Sequence, residues 1–170
     1  MDRRTTPGPA WSLRGAAARD VEEIAVVWHR GWRDAHVGHV PEPLLAHRGL
    51  EAFRARVPSR LADTTVAVAD DGRVLGFVAV HGDELEQLFV AVEARGTGAA
   101  AALLSHGERV IAAHFATAWL AVVEGNARAR RFYARHGWTD AGPIDYAAEV
   151  DGGRVQVPTR RYEKRVAAGD

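Results

Sequence analysis

Residues 86–100 read EQLFVAVEARGTGAA. Glu86–Val90 is a short, largely apolar strand, Ala91–Arg95 a link, and Arg95-Gly96-Thr97-Gly98-Ala99-Ala100 the opening of an Ala/Leu-rich helix. A glycine-rich turn at a helix start leaves several backbone N–H groups without intrahelical partners, and the helix dipole adds partial positive charge there. Glycine and alanine also let the backbone approach an anion with no long side chain in the way. The stretch therefore predicts a pyrophosphate site on a strand–turn–helix unit.

Reading outward toward the N-terminus, Thr64–Ala69 alternates like a strand, Asp70-Asp71-Gly72 is a turn, and Arg73–His81 returns. Gly82-Asp83 is a second turn, which makes Glu84–Val90 the third member of an antiparallel meander. Before it, Trp11–Ala16 reads as a strand and Asp20 as the N-cap of a helix carrying Ile24, Val27, Trp28 and Gly31 at helical spacing. Gly38, Pro41 and Pro43 then break the chain, and a second helix is expected over Leu44–Val57. Toward the C-terminus the helix runs from about Thr97 to His114, followed by an apolar strand at Ala118–Val123 of the kind buried in a parallel pair. Asn126 starts another helix that Gly137 ends, and Ile144–Val150 with Val155–Lys164 form a hairpin around Asp151-Gly152-Gly153. The fold class is α/β, a mixed and mostly antiparallel sheet with helices on both faces.

The chain has 170 residues and a net charge of +0, so nothing global directs it toward nucleic acid or an acidic membrane. It has no cysteine, which excludes disulfides, thiolate metal sites and a cysteine nucleophile together. Residues 1–10 carry basic residues with no apolar stretch behind them, so they read as a flexible tip, with 11–170 as a single domain. No run approaches the ~18 apolar residues of a membrane span, and the expected location is the cytoplasm. His36-x-x-His39 is a poor metal site, because zinc wants three or four ligands, so no metal is expected.

Gly96–Ala101 also fits the dinucleotide pattern G-x-G-x-x-G/A, which makes a nicotinamide-dependent oxidoreductase a rival reading. Against it, Ala91–Arg95 separate the glycines from their strand, and that strand carries Glu84, Glu86 and Gln87 where a Rossmann strand is buried on both faces. The same residues fit another pattern better. Val90 followed by Arg95-x-x-Gly98-x-Ala100 resembles the coenzyme A signature of the GNAT N-acetyltransferase superfamily. Asn126, Phe132-Tyr133 and Gly137-Trp138 resemble that superfamily's last conserved helix, and the order of elements matches over nearly the whole chain. Val92 replaces the usual proline, and Ala100 replaces a common glycine in a way the pattern allows.

The resemblance implies an acetyl-CoA-dependent N-acetyltransferase that moves the acetyl group directly to a primary amine of a small molecule, with no acyl-enzyme. It implies that backbone groups of Leu88, Phe89 and Val90 pair with pantetheine. N–H groups of Gly96, Thr97, Gly98, Ala99, Ala100 and Ala101, beside Arg95, would cradle the pyrophosphate. The fourth strand and the Ala118–Val123 strand would splay to admit the thioester. A non-catalytic acyl-CoA-binding module is the other alternative, and a homodimer is left open.

Acetylating an alkylammonium, which titrates near ~10.4, requires a base at neutral pH. By two-residue alternation Glu84, Glu86, Leu88 and Val90 share one strand face. The family pattern makes Glu84 a position for the general base, against the plainer reading of an exposed strand-end carboxylate; Glu86 is second choice. Asn126, Arg130 and Tyr133 stand at i, i+4 and i+7 on one helix face. In the family this tyrosine protonates the departing sulfur, while a packed core tyrosine is the competing reading. Asn126 can cap its helix and touch pantetheine, and Arg130 is expected to reach a coenzyme phosphate; Arg128, Arg131 and Arg135 fit a solvated face. Trp28, Trp32 and His36 recur every four residues and either wall the acceptor pocket, as the family's first helices do, or fill the core.

Overall fold

The computed structural model describes residues 10–167. The expected flexible tip at 1–10 lies, apart from Ala10, outside the described residues. Seven strands form one sheet in the order β1-β2-β3-β4-β5-β7-β6. They are β1 (Trp11–Gly15), β2 (Thr64–Ala69), β3 (Val74–His81), β4 (Glu84–Val90), β5 (Thr117–Val123), β6 (Thr139–Val150) and β7 (Gly153–Arg165). Every neighbouring pair is antiparallel except β4 with β5. Helices α1 (Val21–His36), α2 (Glu42–Leu45) and α3 (Leu50–Arg56) precede β2, α4 (Ala99–Ala112) joins β4 to β5, and α5 (Ala127–Arg135) joins β5 to β6. The expected mixed sheet and its turns are present.

Helices cover both faces, each through its own apolar stripe. On one face Ile24, Trp28 and Trp32 of α1 and Phe53 of α3 pack with Val66 and Phe77. On the other, Leu103, Leu104 and Ile111 of α4 pack with Val78, Leu85 and Leu120, and Tyr133 of α5 joins them beside Trp138 and Tyr162. Gly31 shows why α1 can lie so close to β4: a Cβ there would stand 2.5 Å from Phe89 Cδ1. The helix crosses the strand at the one residue with no side chain to collide.

Three expectations are corrected. The helix predicted over Leu44–Val57 is two helices, α2 and α3, separated where Gly49 takes an extended conformation (φ −74°, ψ 166°). The α-helix then gives way to a 3₁₀ turn over Val57–Asp63, which holds Pro58, a residue with no N–H for an α-helical bond. Asp20 does not cap α1 through its side chain. Its carboxylate instead accepts two bonds from Arg14, at 2.7 and 2.9 Å, and one from the Ala17 N–H at 2.8 Å. The third correction concerns β4. The β3/β4 register shifts between Ala79 and Val80, leaving Glu86 unpaired between Leu85↔Val80 and Gln87↔Ala79. This bulge breaks the two-residue alternation. Leu88 and Val90 pack toward α4. Glu84 and Glu86 face the α1 side with Gln87. The four residues do not share one face.

Candidate active site

The pairing of β4 with β5 is one residue long, Glu84↔Trp119, reinforced where the Trp119 N–H donates to the Asp83 carbonyl at 3.0 Å. From there the strands part, so the β5-facing backbone edge of Leu88, Phe89 and Val90 has no strand partner. An open edge of this kind is a template for an added strand-like ligand. A cavity of about 440 Å³ lies along it, walled by Leu88–Val90, by Gly96, Gly98, Ala100 and Ala101 at the start of α4, and by Asn126, Ala129, Phe132 and Tyr133 of the α5 region.

At the start of α4, Gly96 and Gly98 both take left-handed φ, +76° and +84°. The N–H groups of Gly96, Gly98, Ala100 and Ala101 have no backbone partner among the described residues. Two members of the expected cradle are engaged instead: the Thr97 N–H donates to the Ala94 carbonyl at 3.3 Å, and the Ala99 N–H makes a long 3.4 Å bond to the Thr97 hydroxyl. The turn is pinned from outside by Trp11, whose indole N–H donates to the Thr97 carbonyl at 3.3 Å. Arg95 lies at the rim, 3.7 Å from Asp34. Four free donors, two glycines and a helix start suit a pyrophosphate.

In α5, Asn126 caps the helix by accepting from the Ala129 N–H at 3.2 Å. Tyr133 is buried, and burial pushes its phenol well above the ordinary range, so it holds its proton at neutral pH. Its hydroxyl makes no hydrogen bond among the described residues. Arg130 does not point into this cavity. It donates to the Tyr162 hydroxyl and the Glu124 carbonyl, both at 3.1 Å, and stands 3.5 Å from Asp140, which fastens α5 to β6 and β7. The cavity is instead bordered by Arg128 and Arg135, which the sequence suggested were merely solvated.

On the other side of the sheet opening, a cavity of about 490 Å³ lies under α1. Trp28, Trp32 and His36 line it, and Trp28 and Trp32 also pack in the core. His36 stacks on Trp32 with centroids 4.6 Å apart, and its Nδ1 lies 2.8 Å from the Trp32 carbonyl. Burial pushes the imidazole down to about 4, so it is neutral, with the Nδ1 proton donated to that carbonyl. Among the described residues no group of three His, Asp or Glu side chains is placed to hold a metal ion.

Glu84 opens onto the same cavity. Its carboxylate is lifted above the usual range, mainly by burial, and a bond from the Tyr146 hydroxyl at 2.7 Å partly counters the rise. Glu86 is held by Arg60 at 2.9 Å. Tyr146 and the guanidiniums of Arg48, Arg56 and Arg60 also reach this cavity, and the sequence reading missed all four. They come from β6 and from the segment after α1, which carry no motif. Only the folded topology brings them opposite β4.

The acetyltransferase (GNAT) family pattern matches residues 19–138. Uncharacterized N-acetyltransferases of Mycobacterium tuberculosis and Mycobacterium bovis are 35% identical over 130 residues, covering 70% of this chain and 83% of theirs. A GCN5-related N-acetyltransferase structure from Rhodopseudomonas palustris superposes with a TM-score of 0.70 at 19% identity, over 93% of this chain and 96% of that one. The PaiA N-acetyltransferase from Thermoplasma acidophilum, solved in complex with coenzyme A, superposes with a TM-score of 0.64 at 20% identity, over 92% of this chain and 99% of that one. The chain belongs to the GNAT acetyltransferase family and is an acetyltransferase enzyme. The family and the antiparallel meander leading into β4 remove the dinucleotide rival. Among the described residues no helix is long and apolar enough to cross a membrane.

Proposed function

We propose that the protein transfers the acetyl group of acetyl-CoA directly to the primary amine of a small molecule. The observation that carries this reading is the one-residue contact between β4 and β5, which leaves an open backbone edge running from Glu84 toward the unpartnered N–H groups at the start of α4. The donor fits this slot. Gly96, Gly98, Ala100 and Ala101 would hold its pyrophosphate, Leu88–Val90 would align its pantetheine, and Asn126 and Ala129 would border it. The bound donor supplies an activated acyl carbon.

The residues then divide the proton work. Glu84, raised by burial and open to the acceptor cavity, takes a proton from the acceptor ammonium directly or through water. Tyr133, fully protonated and lining the donor cavity, gives a proton to the leaving sulfur. A phenol lifted above its usual value is a weak acid, so its contribution rests on alignment in a water-poor slot. A backbone N–H near Val90 would meet the developing negative charge on the carbonyl oxygen.

Calorimetric titration of the protein with CoA and, separately, with NADH tests the assignment of the slot. Saturable one-to-one CoA binding with no NADH binding supports it. NADH binding in preference to CoA would overturn it.

A further inference from the structure

The turn at the start of α4 is held by a residue far from it in sequence. Thr97 stands between Gly96 and Gly98, both at left-handed φ. Its N–H and hydroxyl donate to the Ala94 carbonyl, at 3.3 and 2.6 Å, and the hydroxyl accepts from the Ala99 N–H at 3.4 Å. Its carbonyl accepts from the Trp11 indole N–H at 3.3 Å, across 86 residues. Among the described residues this is the one hydrogen bond that ties Gly96, Thr97 or Gly98 to any part of the chain outside 94–102. Trp11 opens β1 opposite Ala69 of β2, and its ring packs against Ala69, Leu75 and Ala94. Neither Trp11 nor Thr97 lines the donor cavity, whereas Gly96 and Gly98 do. The indole therefore grips the turn from behind.

A planar trans peptide points its C=O and the N–H of the next residue in opposite directions. A bond that holds the Thr97 carbonyl toward Trp11 thus aims the Gly98 N–H away from Trp11. Glycine accepts either sign of φ, so the peptide between Thr97 and Gly98 can turn over at little steric cost. Turned over, it would present the Thr97 carbonyl oxygen where the Gly98 N–H now stands, and an oxygen repels a phosphate. Among the described residues no bond of the turn itself engages that carbonyl.

We infer that Trp11 is a positioning residue for the donor: its indole N–H keeps the Thr97–Gly98 peptide in the orientation that offers a hydrogen-bond donor to the pyrophosphate. This rests on the reading of the slot as the acetyl-CoA site and adds a determinant of donor affinity that lies outside the slot. The apparent affinity of a ligand is its intrinsic affinity reduced by the fraction of protein in the competent conformation. Losing the Trp11 bond lowers that fraction.

Trp11→Phe keeps an aromatic ring on β1 and removes the N–H. Titration with CoA, followed through the backbone amide signals of ¹⁵N-labelled protein, tests the assignment. The folded variant should bind CoA about threefold to tenfold more weakly, the net worth of one neutral hydrogen bond. At saturation the shifts that CoA induces at Leu88, Phe89 and Val90 should match the parent's, while the shift at Gly98 should differ. That split separates positioning of the turn from a general loss of packing, which would alter both groups. The parent supplies a second readout if Trp11→Phe fails to fold. Its Trp11 indole N–H signal should move downfield on CoA binding, because an anion on the Gly98 N–H polarises the shared peptide and strengthens the bond to its carbonyl. Unchanged CoA affinity in the folded variant, shifts altered at both groups, or an indole signal indifferent to CoA would overturn the role of Trp11 and leave the donor slot standing. No CoA binding by the parent would overturn the slot itself and this inference with it.

Discussion

The Tyr146 hydroxyl donates to Glu84 Oε1 at 2.7 Å, which joins the last hairpin to the strand end where β4 and β5 meet. The bond stabilises the ionised carboxylate and so opposes the rise that burial imposes on Glu84. It also fixes one carboxylate oxygen and leaves the other for a substrate proton.

The first prediction follows from that balance. The active base is the deprotonated form, so kcat/KM should rise with pH through a Glu84 value above the ordinary carboxylate range. Tyr146→Phe removes the bond that holds the value down, and the rising limb should move to higher pH. Glu84→Gln should abolish the limb and slow transfer by about 10²–10⁴. Glu86→Gln should do less, because Glu86 is engaged with Arg60. A pH-rate series on the four proteins checks this. A limb that stays in place in Tyr146→Phe, or a Glu86→Gln variant slower than Glu84→Gln, would contradict it.

Tyr133→Phe should lower turnover by about 10²–10⁴, the usual worth of a positioned acid, with CoA affinity nearly unchanged. The hydroxyl makes no hydrogen bond within the described protein, so its loss leaves no protein partner stranded. Turnover within about twofold of the parent would reduce Tyr133 to a packing residue of the α4 face.

Gly98→Val should abolish CoA binding, but by a different route from a simple block of the phosphate site. A Cβ on Gly98 would point toward Trp11 Cζ2, at 3.9 Å, and a β-branched residue is strained at φ +84°. The turn should therefore move out of its donor-presenting shape. Calorimetry with CoA, alongside circular dichroism to confirm the fold, checks this. Near-normal affinity in the folded variant would remove the start of α4 from the site.

The Arg14–Asp20 pair should carry a measurable share of stability. Asp20 is 2% exposed and takes three hydrogen bonds, and the Arg14 guanidinium holds its carboxyl below the usual range. A depressed folded value stabilises the protein above the unfolded value of ~3.9 and the benefit is lost as pH falls through the folded one. Asp20→Asn should cost about 2–3 kcal/mol at pH 7, less than a fully buried pair because Arg14 is 30% exposed. The deficit should shrink in acid. Denaturant melts at pH 7 and pH 3 measure it, and an equal deficit at both would refute the charge argument.

Much of this arrangement could be read from the chain. The meander from Thr64 to Val90 declares itself by alternation and by Gly72 and Gly82, which take left-handed φ in the turns. The start of α4 is legible because glycines before an alanine run have a local meaning. The Glu86 bulge is not legible, since it depends on how β3 and β4 match their lengths across a turn. The direction of Arg130 is set by Tyr162 and Asp140, partners 32 and 10 residues away. Tyr146 reaches Glu84 across 62 residues, and Arg48 reaches the Glu149 carbonyl across 101. Local pattern reports backbone shape well; it does not report which distant side chains share a cavity.

The most direct measurement is the fate of the acetyl group. Acetyl-CoA labelled with ¹³C in the acetyl group, incubated with the protein and a panel of small primary amines, should place the label on the nitrogen of at least one of them in step with CoA release. Both rates should fall together in Tyr133→Phe and Glu84→Gln. Label recovered only as free acetate, or a labelled amine formed at the parent's rate in both variants, would contradict the account.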